Sequence, residues 1–144
     1  MRLWHKDLIP VLPRQQLLGQ WRECCLIARS IAQDGTPGHL LVNSVMDYPI
    51  EHFYAYALTV CREMNDRGYR CDFGRFTAWI DLPRGQDLGG LEIFPEWHND
   101  RYLQQCFYNL QEKFDCGGID TEDYDRIGKE VSKLLQQRKG GRAC

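Results

Sequence analysis

Residues 13–33 read PRQQLLGQWRECCLIARSIAQ, and this stretch decides the fold. Leu17, Leu18, Trp21, Cys24, Cys25, Ala28, Ile31 and Ala32 recur at the i, i+3, i+4, i+7 spacing of an amphipathic helix. The spacing predicts a helix from about residue 13 to 33 that stops at Asp34-Gly35, with Pro37-Gly38 completing a turn. The other face carries Gln15, Gln16, Gly19, Arg22, Glu23 and Arg29, neighbours because residues three and four apart share a face. Glu23 is the only acid among them. Gly19 costs about 1 kcal/mol against Ala in a helix interior. That cost predicts close approach of another backbone or of a ligand. One carboxylate among arginines and glutamines, beside a bare patch of helix and the arm Met1-Arg2-Leu3-Trp4-His5-Lys6, predicts a reaction site for a polyanion.

Downstream, residues 39–46 (HLLVNSVM) read as either a short extended piece or a helical turn. Pro49 suits the first turn of a second helix, Asp47 its cap, and Gly68 its stop. Phe53, Tyr54, Ala57, Cys61 and Met64 form the apolar stripe. Residues 71–98 mix Gly74, Pro83, Gly85, Gly89, Gly90 and Pro95 with Phe, Trp and Ile. They predict a long irregular insertion with a short strand at FTAWI, a length that is uncommon unless functional or lid-like. A helix at about 99–115 follows, with Tyr102, Leu103, Cys106, Phe107, Leu110 and Phe114 inward, ended by Gly117-Gly118. The last begins near Asp120-Thr121, carries Tyr124, Ile127, Val131, Leu134 and Leu135, and fades at Gly140-Gly141. The expectation is a mainly α fold. It is a single compact domain of three to four helices: 1–70 as the core with its arm, 71–98 as the insertion, and 99–144 as C-terminal helices.

A chain of 144 residues with 43% apolar and 26% charged content is globular rather than disordered. No apolar run reaches membrane length, and Trp4, His5, Lys6 and Asp7 break any secretory segment, so the expected place is the cytoplasm. Seven cysteines without a CxxC pair read as reduced thiols rather than a zinc site. The net charge of −2 argues against indiscriminate nucleic-acid binding. Its distribution is uneven. Through residue 33 five bases (Arg2, Lys6, Arg14, Arg22, Arg29) stand against Asp7 and Glu23, 5 − 2 = +3. Arg138, Lys139 and Arg142 make a basic tail with no acid after Glu130.

The arm and RQQLLGQWRE together resemble the N-terminal signature of the phage-type pyrimidine-dimer DNA glycosylases, the endonuclease V repair family. The arm and first helix are similar to those of bacterial members that begin MRLWH and continue LIP, LPRQQLLGQ and REC. Gly38-His39 resembles the family's Gly-His before its second helix, and CREMNDRGY the end of that helix, where a basic residue, Gly and an aromatic recur. The resemblance covers roughly residues 1 to 70. It implies a glycosylase with abasic-site lyase activity on UV-induced pyrimidine dimers, acting without metal or other cofactor. Its partner is double-stranded DNA carrying a lesion, with no membrane; a monomer is the default. The nucleophile is then the N-terminal α-amine. Arg2 is too large for the usual removal of the initiator Met, which assigns the amine to Met1. The resemblance makes Glu23 the catalytic carboxylate, and gives phosphates to Arg2, Arg22 and His39. Gln15 and Gln16 fall where the family sets polar groups against DNA; the second is His in the phage enzyme. The insertion, the last helix and the tail RKGGRAC depart from the phage pattern.

Other tempting residues read as structural. Trp4, Trp21, FYAYAL and CFYNL read as core, and Cys24-Cys25 as packing rather than thiol catalysis. His5 reads as a structural hydrogen-bonding group, and His52 and His98 as surface or supporting residues. Lys6 is the rival nucleophile, though an amine with an ordinary pKa of about 10.4 needs a larger shift than a terminus does. The alternative function is a non-catalytic module binding distorted DNA or a protein partner through residues 71–98.

Overall fold

The computed structural model describes residues 1–142. It is mainly helical, as expected, with no strand among the described residues. Five α-helices follow one another: α1 (Arg14–Asp34), α2 (Ile50–Asp66), α3 (Gly74–Thr77), α4 (Asp100–Asp115) and α5 (Thr121–Arg142). Two 3₁₀ helices, Lys6–Val11 and Asn43–Asp47, precede α1 and α2. One apolar cluster runs from Leu3 through all five helices to Val131. Among the described residues no helix is long and apolar enough to cross a membrane.

α1 starts after Pro13, whose missing N–H is no loss at a helix start. It stops at Gly35, left-handed at φ 77°, whose N–H closes on the Ile31 carbonyl at 2.9 Å. Leu17, Trp21, Cys24 and Ala28 are buried as the spacing predicts. Ala32 is exposed instead, and Gln20 and Ile27 complete the inward face. α2 ends in a Schellman turn: Gly68 (φ 88°) donates to Asn65 at 3.0 Å and Tyr69 to Met64 at 2.9 Å. Beside it, the Arg67 guanidinium reaches back to the carbonyls of Leu12 (2.8 Å) and Pro10 (3.1 Å). Arg67, in the run Arg67-Gly68-Tyr69, therefore clasps the chain just before α1. Arg14 at the start of α1 lies over the Tyr69 ring at 5.5 Å.

Several expectations are corrected. Asp47 does not cap α2, which starts after Pro49 with no side-chain cap. FTAWI is no strand: Gly74–Thr77 is one helical turn, because Phe76 and Ile80, four apart, both face the core. Phe76, Ile80, Phe94 and His98 are buried, so the two ends of residues 71–98 join the core, while none of residues 81–92 between them is buried. The final helix continues through Gly140-Gly141 to Arg142.

His98 and His52 lie inside, not at the surface. The His98 ring packs among those of His5, Phe94, Trp97 and Tyr102 at centroid distances of 4.8–5.2 Å. Its Nδ1 accepts from the Lys6 N–H (2.9 Å), while His5 Nε2 donates to the His98 carbonyl (2.9 Å). His52 Nδ1 accepts from the N–H of Phe94, a buried residue held at φ 47° by the rings around it. Arg138 is also reassigned. It does not belong to a free basic tail, because it bridges Asp7 of the first 3₁₀ helix (2.5 Å) and Asp100 of α4.

Burial lowers His5 from 6.5 to about 4, and lowers His98 further. Both histidines are neutral in the fold at pH 7 and free to protonate when unfolded. The unfolded state therefore gains protons as pH falls below 6.5, and stability falls with it toward the folded-state values. Urea unfolding at pH 7 and pH 5 is expected to show a loss of about 2 kcal/mol for each of the two. Equal stability at the two pH values would rule out this account of the buried pair.

Candidate active site

The arm does not lie on the surface. Leu3, Trp4 and His5 are buried, Arg2 and Lys6 are half-buried, and Met1 is 41% exposed. The backbone from Arg2 to Trp4 is held by side chains. The Arg2 N–H donates to Glu23 Oε2 at 3.0 Å. Gln20, one turn earlier on α1, donates its amide to the Arg2 carbonyl (2.9 Å) and accepts from the Trp4 N–H (2.7 Å). Tyr102 of α4 donates to the Leu3 carbonyl. The Tyr56 hydroxyl of α2 lies 2.6 Å from the Trp4 carbonyl and 3.0 Å from Gln20 Oε1; its single proton goes to the nearer. Met1 is thus one residue from a carboxylate that grips its neighbour.

This corner opens into a groove of about 530 Å³. α1 contributes Gln15, Gln16, Gly19, Gln20, Arg22 and Glu23, the arm contributes Trp4, and α4 contributes Lys113. Five of the residues singled out in the sequence (Gln15, Gln16, Gly19, Arg22 and Glu23) therefore line one groove, as their helical spacing requires. Gln16 Oε1 is buried with no partner among the described residues. The Arg2 guanidinium lies over the Trp4 ring at 5.5 Å, and its charge opposes the upward push of burial on Tyr102 and Cys106. Arg22 lies back across Gly19. No other backbone approaches Gly19, which corrects half of the expectation; its bare surface faces the open groove.

Three expected neighbours lie elsewhere. His39 follows α1, in a turn where its carbonyl accepts from Val42 (3.1 Å) and Asn43 (2.9 Å) and its Nδ1 from the Leu41 N–H (3.3 Å). Arg29 sits over the Trp79 ring at 5.8 Å, in a separate groove of about 310 Å³ that shares Arg22 with the first. Lys6 faces a different cavity, with Asp7, Asp100 and Arg138. There its Nζ donates to the Ile93 carbonyl at 2.5 Å, and burial lowers its pKa. Cys24 and Cys25 are pushed up by burial, as packing thiols should be.

Gln20, Lys113 and Tyr102 were missed. A polar Gln20 between Leu17, Trp21 and Cys24 on the buried stripe was a readable signal, since a buried amide needs partners. Lys113 and Tyr102 carried none: both belong to a helix far along the chain.

The profile of a family described as pyrimidine dimer DNA glycosylase matches residues 1–75. The chain belongs to this family. No curated protein and no solved structure matches it. The matched segment holds the arm, α1 and α2, and so every groove residue named above except Lys113. In this glycosylase family member Tyr102 and the α4–α5 pair lie outside the matched part.

A Cβ at Gly19 meets only the end of Arg22, at 3.9 Å. Gly19→Ala is therefore expected to stabilise the protein by about 1 kcal/mol in urea unfolding. A destabilised variant would show that the bare position serves the fold.

Proposed function

We propose that this protein is a DNA repair N-glycosylase and abasic-site lyase acting on UV-induced pyrimidine dimers in double-stranded DNA. The α-amine of Met1 attacks C1′ of the damaged nucleotide. The C1′–N bond breaks and its electron pair leaves with the base, which takes a proton. The sugar C1′–O4′ bond then opens, O4′ is protonated, and the amine nitrogen is left in a protonated imine. Loss of a C2′ proton expels the 3′ phosphate oxygen and cuts the strand. One difficult displacement is thereby divided into easier steps.

Glu23 serves this sequence in two ways. Its carboxylate stabilises positive charge at the sugar and at the imine, and it relays protons during ring opening. Arg2, Arg22 and Lys113 neutralise phosphates beside the lesion, and Gln15 and Gln16 contact the DNA at the groove rim. His39 serves a flanking phosphate beyond the far end of α1. A lesion that already weakens stacking lowers the cost of opening the duplex.

The observation that carries this reading is the 3.0 Å hydrogen bond from the Arg2 N–H to Glu23. It ties the carboxylate to the residue next to the proposed nucleophile. Family membership supports the substrate class. Lys6 is the less suitable amine, being occupied by the Ile93 carbonyl and lying 3.9 Å from Glu92.

Borohydride trapping on UV-irradiated and abasic duplexes, followed by mass spectrometry, is expected to place a covalent adduct on the Met1 nitrogen. Glu23→Gln is expected to slow nicking by about 10²- to 10⁴-fold while binding of the damaged duplex persists. An adduct on Lys6 would move the nucleophile. Absence of any adduct from protein with a free N-terminus would favour a non-catalytic binding module.

A further inference from the structure

Between the Arg2 N–H and the Trp4 carbonyl, side chains also hold the Arg2 carbonyl, the Leu3 carbonyl and the Trp4 N–H. The anchors come from three helices. Gln20 is on α1, Tyr56 on α2 and Tyr102 on α4. Of these, only Tyr102 lies outside the matched segment of residues 1–75. The Tyr102 ring is itself set in place, against His98 (5.0 Å) and Trp97 (5.7 Å), and its N–H donates to the capping Asn99 Oδ1 at 2.9 Å. Its hydroxyl therefore meets the Leu3 carbonyl from a fixed wall.

We infer that Tyr102 is a positioning residue for the reaction: its hydrogen bond to the Leu3 carbonyl, with the Gln20 amide on the Arg2 carbonyl, sets where the terminal amine stands relative to Glu23. The inference rests on the proposed use of the Met1 amine. Its physical basis is entropy. A peptide backbone that is not fixed has about 1–2 kcal/mol of conformational freedom per residue to lose. Fixing residues 2–4 beforehand leaves only Met1 to be placed at the moment of attack. A nucleophile displaced by about 1 Å can lose about 10²-fold in rate. Neither side chain needs to touch the DNA for this effect. Burial raises the Tyr102 hydroxyl, which keeps it a donor across the working pH range.

Tyr102→Phe removes one oxygen and keeps the ring. Gln20→Met keeps the length and adds no charge to the groove while removing the donor to the Arg2 carbonyl, and it serves as a second variant if the first fails to fold. Tyr108→Phe, at an exposed position on the same helix, is the control. Each protein is mixed with saturating abasic duplex, and the rate of imine trapping by borohydride is followed; Kd for the same duplex is measured separately. Folding is checked by circular dichroism at the assay temperature. The expected result is a loss of trapping rate of about 10- to 10²-fold in both variants, with Kd within about twofold of wild type and Tyr108→Phe unchanged. A general loosening of the fold would weaken binding along with the rate, and that outcome overturns the inference. Unchanged trapping in the folded variants also overturns it. No adduct from the wild type itself would instead remove the proposed chemistry, and this inference with it.

Discussion

The buried hydrogen bonds between α1 and the backbone of residues 2–4 are the constraint on which the rest of the site depends. An extended stretch of chain buried against a helix has no ladder to satisfy its N–H and C=O groups. Each unsatisfied group costs about 1–3 kcal/mol. Gln20 resolves much of this with one amide, which donates to Arg2 and accepts from Trp4. The tyrosines of α2 and α4 supply hydroxyls to the remaining carbonyls. The direct consequence is spatial. With residues 2–4 pinned, the start of the chain is held one residue from Glu23, a carboxylate that lines the groove.

The same logic explains the neutral histidines beneath the arm. His5 and His98 exchange bonds with the backbone of each other's segment, His5 to the His98 carbonyl and Lys6 N–H to the His98 ring. Each bond uses one specific tautomer. Protonation would remove the acceptor at His98 Nδ1 and place a charge among aromatic rings. Burial therefore drives both pKa values down and keeps the pair uncharged. Residues 71–98 look loose in sequence because of their glycines and prolines. Their last few residues nonetheless pack on this pair, since Phe94 and Trp97 wall the His98 ring.

Charge is divided between structure and groove. Arg138 and Arg67 are used internally: one joins Asp7 to Asp100, the other gathers the carbonyls ahead of α1. Arg22 and Lys113 are left exposed at the groove, while half-buried Arg2, not among its lining residues, lies over the Trp4 ring. A protein of net charge −2 thus presents cations where a polyanion would meet Glu23. This arrangement suits a directed site, because attraction to nucleic acid scales with the phosphates actually neutralised.

Helix positions and the polar face of α1 were determined by local sequence, because side-chain spacing and Pro and Gly stops act within a few residues. Helical periodicity alone therefore gathers Gln15, Gln16, Gly19, Arg22 and Glu23 on one face. The turn at Gly74–Thr77 was decided by packing, which places Phe76 and Ile80 in the core. What only the tertiary structure decided was the company kept by the arm. Tyr56, His98, Tyr102 and Lys113 stand far away in sequence, and no spacing rule relates them to Arg2 or Trp4. Packing also turned Lys6 and Arg138 away from the groove, since a side chain points wherever its buried partners hold it. Local spacing names the side chains that share a face; the long-range hydrogen bonds of a closed core fix what that face confronts.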